Sequence, residues 1–247
     1  MSAIDALARL SPQLHCALCY QVPEQKDVLL CAKADVLLLR QLYQSHLEQY
    51  PKAGKAYAAT RTWSLMCWQP VMLSVLSVHG LKMVLKLDAL KQHTQHGSIY
   101  GYFISKNDVD FADEDDLITV AAARLKTLCD GFYDALSSIA KVPRRNAYRL
   151  VADSVLTALS RLSTFLSVSN QQVLVWSDAW LEALNLVAQS RLMSIEINQE
   201  KKILGLDRIA CCMHYLRDPE DLCQTCPKQC KTRRIERIKQ AYLNEHQ

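Results

Sequence analysis

TWSLMCWQPVMLSVLSVHGL, residues Thr62–Leu81, runs for twenty positions without Lys, Arg, Asp or Glu. A run of that length is enough to cross a bilayer, so its reading decides whether the chain packs around it or threads a membrane with it. Gln69-Pro70 sits near its middle, with Thr62, Ser64, Ser74, Ser77 and His79 around it. In hydrocarbon these polar groups would need partners that lipid does not supply. The pattern predicts a buried core helix over Val71–Val78, opened by Pro70, and no transmembrane segment.

Working outward, Ile4, Leu7, Leu10, Leu14 and Leu18 recur at helical spacing, broken at Pro12. Val28–Ala32 (VLLCA) has strand content. From Asp35 the period turns helical, with Val36, Leu39 and Tyr43 on one side, and stops before Pro51. Lys82–Leu87 and Ser98–Ser105 are strand-like, with a Gly- and His-containing loop between them. With the Val28 strand they would form a small antiparallel sheet. Helical patterns follow over Leu117–Ala140, from Pro143 through Leu166, and over Val173–Gln199.

The expected fold is mainly α with a small antiparallel β-sheet (α+β). Gly205 is the best punctuation before a cysteine-rich end. It suggests a mainly helical body over residues 1–204 and a C-terminal segment over residues 205–247.

The composition is that of an ordinary globular chain: half of its 247 residues are apolar and 22% are charged. A chain this long buries about three quarters of its extended surface, so its core needs no metal or disulfide. The net charge of +4 is unevenly spread. Acids and bases balance through residue 200, and six bases between Lys228 and Lys239 face only Glu236. The start, MSAIDALARLSPQLHC, is not a secretory signal. Ten cysteines without export point to a reducing compartment, where clustered thiols hold metals more often than they pair. A cytoplasmic location is expected.

Four of the thiols fall within sixteen residues, in IACCMHYLRDPEDLCQTCP, Ile209–Pro227. Cys223-Gln-Thr-Cys226 lets one tight turn aim two sulfurs at one point, and Pro227 stops a helix from continuing. Asp218-Pro219 marks a turn that folds the second pair back onto the first. Adjacent cysteines are harder to satisfy. Their side chains point to opposite faces of a strand, or diverge by about 100° on a helix. Convergence on one ion then demands a special local turn, whereas two irons present binding points on both sides. That geometry leans towards a [2Fe–2S] centre and leaves structural zinc as the rival. Cys230 reads as a non-ligand. Cys16 and Cys19 read as a buried pair on a helix, and Cys31, Cys67 and Cys129 as core.

The full spacing, Cys-Cys-x10-Cys-x2-Cys over Cys211, Cys212, Cys223 and Cys226, resembles the FhuF-like ferric-siderophore reductases. Tyr215 and Arg217 after the doublet and Pro227 after the last cysteine share in that resemblance. The Glu220-Asp221 loop departs from it, because glycines are frequent there in the family. The resemblance implies that these four cysteines bind a [2Fe–2S] cluster. It further implies that the protein reduces siderophore-bound Fe(III) to Fe(II) in the cytoplasm.

No G-x-G-x-x-G is present and glycine is scarce, so neither flavin nor NAD(P) is expected to bind. A ferredoxin or a separate reductase would supply electrons. Lys231, Arg233, Arg234 and Arg237 are the candidate docking residues for it. Arg61, Trp63, Trp68 and His79 are the candidate siderophore contacts. Transient association near the inner membrane is compatible with that role. The rival class is a zinc-stabilised, non-enzymatic module that binds nucleic acid or protein. The balanced charge outside the tail argues against nucleic acid. The acidic run Asp108–Asp116 lacks the glycine of a calcium loop and reads as a lead into the following helix.

Overall fold

The computed structural model describes residues 2–22, 28–30, 35–219 and 222–245. The stretch that opened the sequence reading lies inside one long helix, α3 (Gly54–Leu81), around which the body is assembled. Pro70 does not open a helix; it sits within this one. An interior proline removes a backbone hydrogen bond and costs about 3 kcal/mol. Burial offsets that cost: Trp63, Met66, Val71, Leu73, Val75 and Leu76 are fully buried. By length and composition, residues 51–81 are apolar enough to cross a membrane, yet 72% of the apolar window is buried inside the protein.

Several polar side chains of the run find partners inside the protein. Thr62 and Ser77 donate to the carbonyls of Ala58 and Leu73. Gln69 Nε2 donates to the Gly101 carbonyl at 3.1 Å and the Ala17 carbonyl at 3.3 Å, while its Oε1 accepts from Gln92. Gln69 therefore ties the sheet to the central helix.

Helices α1 (Ala3–Leu14), α2 (Val36–Gln49), α4 (Leu117–Ser137) and α5 (Arg144–Leu166) pack around α3. Helix α6 (Asn170–Ala183) closes the far side against α4 and α5. The sequence fits these elements locally. Ser2 and Asp5 form a reciprocal capping box on α1, and Asp35 caps α2 by accepting from the Leu37 and Leu38 N–H groups. Trp63 on α3 is fully buried and donates its indole N–H to the Ala147 carbonyl of α5 at 2.7 Å, binding the two helices together.

A three-stranded antiparallel sheet, β1 (Val28–Leu30), β3 (Lys91–Gln95) and β4 (Ser98–Phe103), is ordered β1-β3-β4. The expected strand over 82–87 contributes only β2 (Val84–Leu85), which pairs instead with β5 (Val109–Asp110). The central strand β3 falls where a loop was expected. His96-Gly97, with φ of 48° and 74°, forms a two-residue reverse turn that brings β4 straight back onto β3. Cys31 and Ala32 lie outside the described residues. The acidic run leads into α4 as expected, and its Asp110 pairs with Arg124 and Lys86 and its Glu114 with Lys82.

The largest difference from the sequence reading lies after α6. The helix expected through Gln199 ends at Ala183, and Asn185 and Ala188 adopt left-handed backbone conformations with φ of 58°. A hairpin follows, β6 (Arg191–Glu196) with β7 (Lys202–Asp207). Asn198 makes its turn by accepting from the N–H groups of Glu200 and Lys201. The expected boundary at residues 204/205 falls inside β7, and Gly205 has a packing role. A Cβ there would lie 2.4 Å from Ile195 Cδ1 and 3.2 Å from Ile238 Cδ1. Ile238 belongs to the last helix, α7 (Lys231–Glu245), which seats on the hairpin at this bare position.

Gly205→Val should therefore destabilise the protein by about 1–3 kcal/mol through overpacking. Gly131→Ala, in α4 with nothing within 4 Å of the new methyl, should be neutral or stabilising by up to about 1 kcal/mol. Chemical denaturation of the two variants beside the parent measures both.

Candidate iron–sulfur centre

The cysteine loop is suspended between β7 and α7, and both of its ends are held by buried charge. Asp207 accepts from Arg191 across the hairpin and from Arg234 of α7, each at 2.9 Å. Arg208 follows and turns inward. Its Nε lies 2.9 Å from Asp153 Oδ2 on α5, and the two side chains are 14% and 3% exposed. Ser190 donates to the other Asp153 oxygen at 2.6 Å. Burial pushes the Asp153 carboxyl up, and the Arg208 guanidinium and the two hydrogen bonds oppose it. Burial disfavours charge on Arg208 as well, but Asp153, Cys212 and Cys223 hold it protonated above its ordinary range.

Beyond Arg208, Ala210 is buried, and Cys211 and Cys212 follow. Met213 then adopts the left-handed conformation (φ 63°), and a short 3-10 turn runs over His214–Leu216. The backbone therefore turns sharply straight after the doublet. It aims the Met213 N–H at Cys211 Sγ, 3.4 Å away. A bulky residue in that conformation costs about 1–3 kcal/mol, which surrounding contacts must over-determine. Asn146 of α5 contributes one, donating to the Cys211 carbonyl.

The second pair is shaped by its own turn. The Cys226 N–H donates to the Cys223 carbonyl at 2.9 Å, and the buried Gln229 side chain donates to the same carbonyl. Gln224 fastens the turn to α7 by donating to the Arg237 carbonyl. The expected Glu220-Asp221 loop lies outside the described residues.

These turns bring Cys212 Sγ and Cys223 Sγ to 3.7 Å. Two thiolates on one tetrahedral metal with bonds of about 2.3 Å stand about 3.8 Å apart. Sharing a proton between the two sulfurs pulls the Cys212 thiol down to about 5, with Arg208 assisting against burial, and pushes Cys223 up. Burial pushes the Cys211 thiol up, with Cys212 and Cys226 close enough to add to it. Among the described residues no three His, Cys, Asp or Glu side chains converge on a single ion. A [2Fe–2S] cluster takes two ligands on each iron, so it does not require such convergence. The donor set fits that group. Arg208 Nη1 also reaches Cys223 Sγ at 3.7 Å, giving one thiolate a charged N–H donor.

Arg61 and Trp68 line a cavity of about 230 Å³ together with Tyr57, Arg208, Cys212 and His214. The other two expected siderophore contacts lie elsewhere. Trp63 is in the core against α5. His79 is buried, accepts from Trp180 Nε1 at 2.9 Å and stacks on Trp176. Burial holds the His79 imidazole down to about 4.

The candidate docking residues also divide. Arg234 is committed to Asp207, and Arg237 donates to Gln229 Oε1 at 3.2 Å, so both hold α7 in place. Lys231 and Arg233 face solvent. Cys230 is exposed at the start of α7. Cys67 and Cys129 are buried as expected, but Cys16 is exposed and Cys19 is half-buried beyond the end of α1. The expected buried pair on a helix is not formed, because α1 stops at Leu14. Sequence reasoning missed Arg208, whose partner lies 55 residues away; no local pattern announces such a pair.

The four thiols, their two turns and Arg208 make up a candidate centre in which Cys212, Cys223 and the Arg208 guanidinium meet. Residues 208–228 match the family model of the FhuF 2Fe-2S C-terminal domain. That interval begins at Arg208 and holds all four cysteines, and it agrees with the resemblance read from their spacing. No solved structure matches the chain.

Replacing Cys211, Cys212, Cys223 or Cys226 by Ser should abolish or distort the visible absorption of the anaerobically purified protein, whereas Cys230→Ser should leave it unchanged. Arg208→Gln should lower the reduction potential in a dye-equilibrated titration, because a positive N–H donor beside a thiolate favours the reduced, more negative state. The same change leaves Asp153 buried without its partner and should cost about 3–5 kcal/mol of stability, a loss that adding Asp153→Asn should reduce.

Proposed function

We propose that the protein is a ferric-siderophore reductase that delivers one electron to siderophore-bound Fe(III) and releases Fe(II) in the cytoplasm. The observation that carries this reading is the Cys212–Cys223 pair, set inside the FhuF 2Fe-2S match and bordering a cavity open to a ligand.

When bound, a [2Fe–2S] cluster supplies a one-electron reductant whose potential depends on its surroundings. The chain's own residues do the rest. Cys211, Cys212, Cys223 and Cys226 would hold the group at the junction of α5, β7 and α7. Arg208 stands between this ligand set and the helical body, bonded to Asp153 on one side and Cys223 on the other. Arg61, Trp68 and His214 form the wall against which a chelate would rest.

Siderophores grip Fe(III) through hard oxygen donors. One electron lowers the ion's charge and softens it, which weakens the grip and leaves the ligand intact. Neither flavin nor NAD(P) takes part in this scheme. Electrons arrive from a ferredoxin or separate reductase at the surface offering Lys231 and Arg233. Nucleic acid has no role, and helix α3 serves as the core of a protein that only transiently approaches the inner membrane.

The test is anaerobic stopped-flow mixing of dithionite-reduced protein with a panel of ferric siderophores in the presence of a coloured Fe(II) chelator. At least one siderophore should reoxidise the protein and yield one Fe(II) per electron. Failure with every siderophore, from a protein that takes up and gives up an electron, would leave it a general electron carrier.

A further inference from the structure

The cavity beside Cys212 has a composition that selects by charge. Arg61 from α3 and Arg208 from the end of β7 both line it, with His214 and the indole of Trp68, and among the described residues no Asp or Glu lines it. Arg208 is neutralised by Asp153. Arg61 is exposed and has no hydrogen bond or ion pair among the described residues. A guanidinium with no partner among the described residues, at the mouth of a cavity whose described lining carries no acid, is a site for an anionic oxygen group, which it meets with two parallel N–H donors. Of the four cysteines, Cys212 is the one that reaches the cavity wall.

We propose that this cavity binds an anionic arm, a carboxylate or catecholate, of a ferric chelate with net negative charge. Arg61 is the residue that selects it, and Cys212 is the side from which the electron leaves. The proposal deepens the reductase reading and rests on it for the redox step, although not for binding. At about 230 Å³ the cavity is smaller than the roughly 300–1,000 Å³ that encloses a whole drug-sized ligand. One arm enters and the iron stays at the mouth, over Cys212. No bond to the protein forms or breaks: Fe(III) gains one electron and becomes Fe(II), and the external donor protein restores that electron.

The binding half is tested without redox chemistry, using Ga(III), which has the charge and donor preference of Fe(III) but is not reduced. Ga(III)–citrate represents an anionic chelate, and a Ga(III) trihydroxamate bearing a free ammonium represents a cationic one. Quenching of tryptophan fluorescence reports occupancy beside Trp68. The parent protein should bind Ga(III)–citrate at least about tenfold more tightly than the cationic complex, and more tightly at low salt than at high salt. Arg61→Gln should weaken Ga(III)–citrate binding by about tenfold or more, the loss expected for a charge-assisted bond, and Arg61→Lys should restore part of it.

Equal binding of the two complexes, no binding at millimolar Ga(III)–citrate, or an Arg61→Gln variant that binds like the parent would overturn the proposal. Circular dichroism confirms that the variants are folded. A protein that binds Ga(III)–citrate through Arg61 but reduces no ferric chelate would sink the reductase reading alone. One that reduces ferric chelates at the same rate and apparent affinity with Arg61→Gln would sink the charge-selecting cavity alone.

Discussion

The buried Arg208–Asp153 pair is the constraint on which the rest of the site depends. A charge pair taken out of water stabilises little by itself, and removing one partner costs far more than the pair contributes. Its effect here is positional. Asp153 is fixed on α5 by Ser190, so Arg208 has one place to go, and the chain immediately after it must begin the cysteine loop there. Asp207, one residue earlier, does the same for α7 through Arg234. Two adjacent residues at the end of β7 thereby set the loop against the helical body and the last helix against the loop.

Among the described residues, seven helices and three small sheets accompany a cysteine segment that spans only sixteen positions of the sequence. The long α3 supplies one wall of the cavity beside Cys212, α5 supplies the carboxylate that anchors Arg208, and the β6–β7 hairpin carries the loop to them. Under the proposed function, the body is the surface on which a substrate would be met. The cysteines alone would suffice for a small electron carrier.

How much of this was legible in the sequence varies with the range of the interactions. The mainly α fold with small antiparallel sheets follows from periodicity and caps that act within a few residues, such as Asp35 before α2 and Pro143 before α5. The resemblance to the family matched at residues 208–228 was legible because the cysteine spacing that carries it is local. Pro70 misled, because tertiary burial outweighed its cost to the helix. The β6–β7 hairpin was hidden because apolar residues between Leu184 and Ile197 also fit a helical period. Only the Asn198 turn signalled otherwise. Trp63 and His79 looked like ligand contacts by residue type, and their indole and imidazole nitrogens turn out to be spent inside the core. Arg61 and Trp68 line the cavity that Cys212 reaches, a meeting of residues far apart in the chain that no window in the sequence reveals.

The central claim is that Cys211, Cys212, Cys223 and Cys226 form a two-iron centre and not a zinc knuckle. Iron, zinc and acid-labile sulfide determined on protein purified without oxygen test it most directly. The account predicts about two irons and two sulfides per chain, the content of one [2Fe–2S] cluster. A colourless protein with one zinc and no sulfide would contradict it.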